Sequence, residues 1–267
     1  MERTFETPGH LALQVRVPSG SIQVRAEART TTRLRTSGER DPEDFRVAFD
    51  ERGDGHRLVV EYRGRRGRFF GFGEEIEVTA DVPEGTDVTC ETGSADIEVT
   101  GPVGTLSAKT GSGDVRFNEA LGDVALKSGS GDLRGSRVVG DLAAHTASGD
   151  VGVGVVGGGV VARTASGNLS IGEADGSVQA GSVSGDVEIR SLLSGAVRLQ
   201  SVSGDVDAGI ASGVEVYLDL GSTSGDVSSD LEGADAPANG PELELTATTV
   251  SGDIHVRRAP SRSKTSE

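Results

Sequence analysis

Aromatic residues are scarce in this chain, which has no tryptophan, two tyrosines and seven phenylalanines among 267 residues. Glycine is abundant, with 40 residues, and each glycine inside a helix costs about 1 kcal/mol, so long helices are excluded. Counted together with glycine, the apolar fraction is ordinary, so the composition is not that of a disordered chain. The chain is expected to fold around small side chains.

Cysteine and long apolar runs are also lacking. The single cysteine, Cys90, excludes an internal disulfide framework and a cysteine-based zinc site. The longest apolar and glycine run, 151–162, is too short for a membrane-spanning helix, and the first 20 residues lack the apolar core of a secretory leader. These features predict a cytoplasmic protein without a transmembrane segment, with peripheral membrane association as an open possibility.

Basic residues are fewer than acidic ones, with 26 lysine and arginine residues against 42 aspartate and glutamate residues, and the net charge is −16. Residues 1–80 hold equal numbers of arginine and acidic residues, whereas acidic residues dominate from 81 to 253. Seven of the nine aromatic residues also lie before residue 73. Two regions of different character are therefore predicted, and the acidic region makes nucleic acid an unfavourable partner.

A repeat organises residues 88–256. The triplet Ser-Gly-Asp recurs at intervals of 18 residues, which lengthen to 19, 21 and 27 towards the end. Its serines, with one Ser-Ala-Asp and one Ser-Gly-Asn variant included, are Ser94, Ser112, Ser130, Ser148, Ser166, Ser184, Ser203, Ser224 and Ser251. A fixed short period is the sequence signature of stacked repeat architectures.

The residues around each triplet follow the periodicity of a β-strand. Aliphatic residues stand six positions before and three positions after every serine, and a hydroxyl residue stands two positions before it. Because alternate side chains of a strand point to one face, these columns predict a buried face. Polar residues such as Lys109, His145 and Arg163 fall between the columns and predict a solvated outer face.

Eighteen residues cannot bury a core alone, so each unit is predicted to be one coil that stacks on its neighbours. A second glycine about nine residues after the first marks a second turn in most coils. We therefore predict an all-β fold, a parallel β-solenoid with two short strands per coil and about nine coils over residues 88–256. Segment 232–242 is predicted to be a surface loop inserted into the final coil.

The region 1–87 shows strand alternation with longer connections. Leu11, Leu13, Val15 and Val17 imitate the repeat and predict an early coil or a cap. A solenoid needs a terminal cap to protect its open sheet edge, so the region is predicted to be a cap of β-strands. Residues 257–267 are predicted to form a disordered tail.

The repeat and the strand region that ends in Val82-Pro83-Glu84-Gly85-Thr86 resemble the bacterial putative adhesin family of β-strand repeat proteins, called toast-rack domains of unknown function. The resemblance spans about residues 10–256. It implies a right-handed parallel β-solenoid without assigned catalytic residues, often found with membrane-anchored or envelope-stress proteins. The adhesin description implies binding to a protein or envelope partner.

The aspartates of the triplets are expected to stack as a ladder. Like charges about 4.8 Å apart repel by about 0.9 kcal/mol in a water-like dielectric, and a cation would relieve this repulsion. Calcium, however, takes six to eight oxygens, and calcium-binding β-rolls use Gly-Gly-x-Gly-x-Asp repeats that this chain lacks. We expect no cofactor and interpret the triplets as structural turns, namely Gly113, Asp114, Gly131, Asp132, Gly149, Asp150, Gly185, Asp186, Gly204, Asp205, Gly225, Asp226, Gly252 and Asp253.

Several residues and motifs resemble catalytic or ligand-binding sites but are better explained by their structural roles. Segment 152–157 matches the dinucleotide fingerprint Gly-x-Gly-x-x-Gly, but no helix is predicted after it to bind a phosphate. His145 is predicted on an outer face, beside no nucleophile of its coil that would suggest a catalytic triad, and Cys90 occupies a buried column. No catalytic or metal-binding residue is predicted.

The segment 63–72 is the feature that the repeat does not explain. It interleaves arginine with phenylalanine, and Arg65, Arg66, Arg68, Phe69 and Phe70 are the candidate residues for a partner or membrane contact. The sequence thus predicts a non-enzymatic, acidic, adhesin-like scaffold or binding domain. A calcium-binding β-roll-like protein and a carbohydrate-active β-helix are the alternatives, and the oligomeric state is left open.

Overall fold

The computed structural model describes residues 1–37, 44–53, 55–64, 76–231 and 240–260. Its regular elements are 24 β-strands, which confirms the all-β prediction. The chain divides into two compact units, unit 1 (Met1–Val139) and unit 2 (Gly140–Glu267). The predicted boundary between residues 87 and 88 lies at the start of the strand Asp87–Thr92 and stays a prediction.

The strands follow one another in short steps. Those of unit 1 are β1 (Glu2–Glu6), β2 (His10–Val17), β3 (Ser21–Glu27), β4 (Thr31–Ser37), β5 (Phe45–Arg52), β6 (Gly55–Tyr62), β7 (Glu77–Pro83), β8 (Asp87–Thr92), β9 (Asp96–Val103), β10 (Leu106–Lys109), β11 (Val115–Ala120), β12 (Val124–Ser128) and β13 (Leu133–Val138). Those of unit 2 are β14 (Leu142–Thr146), β15 (Val151–Val156), β16 (Val160–Ser166), β17 (Leu169–Asp175), β18 (Val178–Ser184), β19 (Val187–Ser203), β20 (Val206–Ile210), β21 (Glu215–Ser224), β22 (Val227–Ser229), β23 (Glu242–Ser251) and β24 (Ile254–Arg258).

Unit 1 contains two sheets, and each coil contributes one strand to each of them. Sheet 1A has the order β1-β4-β7-β3-β9-β11-β13, and sheet 1B has the order β5-β6-β2-β8-β10-β12. From β8 onwards the pairing is parallel, and Leu106 lies between Val88 and Val124 in register. The 18-residue period therefore places like residues beside one another.

The core of each unit is made of the predicted columns. Val88, Leu106 and Val124 are each 1% exposed, and Ile97, Val115 and Leu133 are equally buried. The hydroxyl column, with Thr110 in unit 1 and Ser182 in unit 2, also faces inward. Small aliphatic side chains fill the space between the sheets, as the aromatic shortage predicts.

The N-terminal strands serve two purposes. β2 and β3 pair in parallel with β8 and β9, so they form a coil of the stack. β1, β4 and β5 instead pair in antiparallel fashion. Beside them, the ring of Phe49 lies 5.0 Å from that of Phe5 and 5.6 Å from that of His56. The aromatic residues are thus concentrated where the regular coils end.

Unit 2 departs from the expected coil order. Sheet 2A has the order β15-β17-β19-β20-β24-β22, and sheet 2B has the order β14-β16-β18-β19-β23-β21. The last coil in the chain, β23 and β24, therefore lies between its two predecessors, and the coil of β21 and β22 is at the edge. The final two coils therefore do not stack in chain order.

The predicted C-terminal tail begins later than expected. Strand β24 continues to Arg258, and Arg257 forms an ion pair with Asp207 at 2.7 Å. The predicted disorder over 257–267 is therefore wrong for Arg257 and Arg258. The rest of that prediction falls mainly on residues 261–267, outside the described ranges, as does most of the predicted loop 232–242.

Candidate functional site

The triplet aspartates form a hydrogen-bonded ladder in each unit. In unit 1 the backbone N–H of Asp114 donates to Asp96 Oδ1 at 2.9 Å, and that of Asp132 donates to Asp114 Oδ1 at 3.0 Å. In unit 2 the corresponding bonds of 2.8 to 2.9 Å link Asp150, Asn168, Asp186, Asp205, Asp253 and Asp226 in that order. Asn168 fits the ladder because its amide oxygen accepts the same bond as a carboxylate oxygen.

The hydroxyl residues of the repeat bond in two ways. In unit 1, Thr110 Oγ1 accepts a bond from the N–H of Gly113 in its own turn at 2.9 Å. In unit 2, Ser182 Oγ donates instead to the carbonyl of Gly167 in the preceding coil at 3.0 Å. The periodicity of the sequence predicts that this column faces inward, but the residue types do not reveal which of the two arrangements each hydroxyl adopts.

Close stacking explains the triplet glycines in both units. A Cβ atom on Gly131 would lie 1.9 Å from the carbonyl oxygen of Gly113, although Gly131 has no positive φ. Gly185 has a φ of +150°, and its Cβ would lie 2.1 Å from the carbonyl oxygen of Gly167. Gly185 therefore has both a positive φ and a close approach, whereas at Gly131 only the close approach requires glycine.

The ladder carboxylates already have partners from the protein. Asp114 and Asp132 each form an ion pair of 2.8 Å, with Arg116 and Arg134 respectively. Within the described ranges, no three His, Cys, Asp or Glu side chains form a group that could hold a metal ion. The geometry of the ladder is that of a turn element in which carboxylate and amide oxygens bond the next backbone.

A groove of about 730 Å³ lies at the carboxyl ends of β2, β6, β8 and β10 in unit 1. Its lining residues include Arg16, Glu61, Tyr62, Glu91 and Lys109, together with residues of the adjoining turns. These residues come together because the four strands are neighbours in sheet 1B and end at the same side.

Charges of both signs alternate along this groove. Arg16 lies between Glu61 and Glu91 in the sheet, and its Nε is 2.9 Å from Glu91 Oε2. Lys109 is the next neighbour of Glu91, on the side away from Arg16. At the wall of the groove, the ring of Tyr62 packs edge-on against Phe45 at 5.4 Å. Such a surface can bind polar and charged groups together with a flat apolar one.

The chain leaves this groove at the segment that the sequence analysis singled out. Arg63 lines the groove, and its Nε is 3.2 Å from Glu61 Oε2. Gly64, the last lining residue before the gap, lies against the Tyr62 ring, which a Cβ would approach to 2.5 Å. The predicted contact residues Arg65, Arg66, Arg68, Phe69 and Phe70 follow at once but lie outside the described ranges.

The other residues that the sequence analysis weighed have structural surroundings. Burial raises the pKa of the Cys90 thiol from 9.0 to about 12, which disfavours the reactive thiolate. The Gly-x-Gly-x-x-Gly match begins in strand β15 and is followed by strand β16, so it lacks the helix that a phosphate site needs. His145 lies in β14 beside Arg163 of β16.

Sequence reasoning missed two features. The groove could not be predicted from the sequence, because its residues come from four separate segments without a common motif. A row of outward side chains on β21 and β23, which includes Glu215, Tyr217 and Asp219, was missed because the order of the last coils differs from chain order. Among the residues with described positions, no helix has the length and apolar character needed to cross a membrane.

Solved structures similar to this chain have low sequence identity with it. A protein from Parabacteroides distasonis described as a putative lipid binding protein is 13% identical, with 96% of each chain covered and a TM-score of 0.48. A putative adhesin from Parabacteroides merdae is 12% identical, with 96% of this chain and 95% of its own chain covered and a TM-score of 0.44. No curated protein matches.

The model of the Toastrack DUF4097 family matches residues 10–257. The chain therefore belongs to the Toastrack DUF4097 family.

Proposed function

We propose that this domain is a non-enzymatic, adhesin-like binding scaffold whose partner contacts the groove in unit 1. The observation that carries the proposal is the groove itself, where ion-paired side chains and an aromatic ring border a volume of about 730 Å³. The sheet beneath it is held by in-register parallel pairing, so the groove residues have fixed positions. Fixed polar groups around an apolar surface are typical of binding sites.

The groove also joins the predicted contact segment. Because Arg63 and Gly64 line it, the segment 65–70 follows directly in the sequence after residues of the groove. Lys109 and Lys127 are neighbours in sheet 1B, on the far side of Glu91 from Arg16. The groove lining pairs Arg16 with Glu91 and Arg63 with Glu61, and Lys109 is the additional cation. This one additional positive charge, with Lys127 beside it, favours a partner with anionic groups, such as an envelope protein or an anionic membrane surface.

A binding comparison tests the proposal. The full chain, a variant with Arg65, Arg66, Phe69 and Phe70 replaced by serine, and a Lys109→Glu/Lys127→Glu variant are immobilised and exposed to an envelope extract. The expected result is a partner retained by the wild type and lost from both variants. An Arg163→Glu variant, changed on a strand of unit 2, is the matched control and is expected to retain the partner. Equal retention by all four proteins would refute the proposal.

The proposed binding could take place in either of two compartments. The sequence favours the cytoplasm with peripheral membrane contact, and the adhesin description of similar solved proteins favours the cell surface. Cell fractionation with an antibody to the domain separates the two. Binding to vesicles that contain anionic lipid, compared with neutral vesicles, measures the membrane contact directly. Recovery only in a soluble fraction, without vesicle binding, would exclude an envelope role.

A further inference from the structure

The coil of β21 and β22 is an open edge of unit 2. β21 pairs with β23, and β22 pairs with β24, while no other described strand pairs with either of them. In a parallel pair, alternate residues direct their backbone groups to one neighbour. The N–H of Glu215 donates to Pro241 on the β23 side, so the backbone groups of Val216, Leu218 and Leu220 point to the open side.

The apolar columns are uncovered at this edge. Leu218 and Val227 belong to the columns that are buried in the other coils, yet they are 38% and 46% exposed. Their neighbours one coil inward, Leu245 and Ile254, are fully buried. In unit 1 the corresponding ends carry antiparallel strands and aromatic contacts, and the described part of unit 2 has no equivalent cover at β21 and β22.

The charge of this edge specifies what can cover it. The outward side chains of β21 are Glu215, Tyr217 and Asp219, and those beside them on β23 include Glu242 and Glu244. No lysine or arginine occurs between Arg198 and Arg257 in the sequence. Adjacent like charges on neighbouring strands are unfavourable, and a cationic neighbour would remove this repulsion. A second copy of the same acidic edge would increase it.

We propose that the open edge of β21 binds an extended cationic segment of a partner protein, which adds to sheet 2B as the next strand. The backbone groups of β21 supply the hydrogen bonds, as in other cases of strand addition. Apolar side chains of the partner cover Leu218 and Leu220, and its lysine or arginine residues lie beside Glu215 and Asp219. The exposed ring of Tyr217, 60% accessible, is available to stack against one of these cations.

The test uses a soluble probe peptide in which lysine alternates with valine and threonine, and a matched peptide with glutamate in place of lysine. The lysine peptide is expected to bind the full chain, with an affinity that falls as salt is added, and the glutamate peptide is not. A Glu215→Lys/Asp219→Lys variant is expected to bind at least about tenfold more weakly. A Glu84→Lys/Glu98→Lys variant has the same net charge change away from the edge and is expected to bind like the wild type.

Amide hydrogen exchange separates strand addition from simple charge attraction. On peptide binding, the amides of Val216, Leu218 and Leu220 are expected to become protected, because they face the open side. Peptide binding without this protection would overturn the proposal, as would equal weakening by both charge variants. Concentration-dependent dimers of the free chain that protect the same amides would assign the edge to a second copy instead and would also overturn it.

Discussion

Backbone contact between coils is the strongest constraint on single residues in this fold. The triplet glycines stack so closely that the carbonyl of one lies where the Cβ of the next would be, as at Gly113 and Gly131. The turn chemistry of the triplet is therefore secondary to the distance between coils. This explains why glycine recurs at a position that needs no positive φ in unit 1.

Replacement of Gly131 by alanine is expected to destabilise the protein by about 1 to 3 kcal/mol, because the new methyl group forces two coils apart. Urea unfolding measures the change. The matched control is Gly152→Ala, where nothing lies within 4 Å of the added Cβ and φ is not in the left-handed region. That variant is expected to be neutral or slightly more stable. Equal effects at the two sites would show that stacking distance is not the cause.

The buried thiol of Cys90 makes stability depend on pH in the alkaline range. Its pKa rises from 9.0 to about 12 on burial, so the folded state binds the proton more tightly than the unfolded chain. The contribution is complete below pH 9 and is lost as the pH rises towards 12, at about 1.4 kcal/mol per pH unit.

Cys90→Ala provides the comparison for that pH dependence. Alanine occupies the same column at Ala108, the neighbour of Cys90 in β10, so the variant should fold. The difference in unfolding free energy between wild type and variant is expected to shrink above pH 9. A constant difference up to pH 11 would contradict a raised thiol pKa. In the native wild type, the thiol should also resist alkylation until the protein unfolds.

Single-residue reasoning predicted the buried columns but not the groove. The aliphatic and hydroxyl columns repeat at fixed positions, so the faces on which Val88, Leu106 and Thr110 lie could be predicted from periodicity alone. Arg16, Tyr62 and Lys109 have no common spacing, and only the pairing of β2, β6, β8 and β10 brings them together. The two bonding modes of Thr110 and Ser182 depend on turn conformation, which the shared residue types do not reveal.

The coil is the structural element of this fold, because each one contributes a strand to both sheets. Within each unit the regular coils follow one another in chain order as far as β20. The sequence could not predict the different order of β21 to β24, because the aliphatic columns of the last two coils are equivalent in sequence. Leu218 and Leu245 satisfy the same pattern, and only the burial of Leu245 shows which coil is interior.

Deletion of residues 166–183 removes one whole coil and joins Ala165 to Ser184, which preserves a triplet. The shortened chain is expected to unfold in one cooperative transition with lower stability, since β15 and β16 can pair with β19 in the same register. Deletion of 167–175 removes the whole of β17, the strand of sheet 2A, with the turn before it, and is expected to abolish cooperative unfolding. Circular dichroism with urea measures both. A folded half-coil variant would contradict the coil as the unit of stacking.

At the scale of the whole molecule, the family and the all-β fold were predicted correctly from the sequence. The structure is needed to assign the charges to the two units. Acidic residues exceed basic ones in both units, but unit 2 has the larger excess and no lysine or arginine between residues 198 and 257. Ion pairs such as Arg116 with Asp114 relieve repulsion in unit 1. In the C-terminal coils of unit 2, screening by salt must take the place of such pairs over much of the surface.

Salt is therefore expected to stabilise the protein through screening, and calcium is expected to act only as a contributor to ionic strength. Raising sodium chloride from low to physiological concentration should increase the melting temperature by a few degrees, since repulsion within an acidic chain weakens as the Debye length shortens. Calcium and magnesium chloride at matched ionic strength should give equal increases, because the ladder oxygens accept backbone bonds and calcium needs six to eight oxygen ligands. A calcium-specific increase that saturates at micromolar concentration would instead establish a true calcium site. In that case Asp186→Asn and Asp205→Asn would be the first substitutions to test. Asparagine preserves the backbone hydrogen bond of the ladder without a charge, as Asn168 already does.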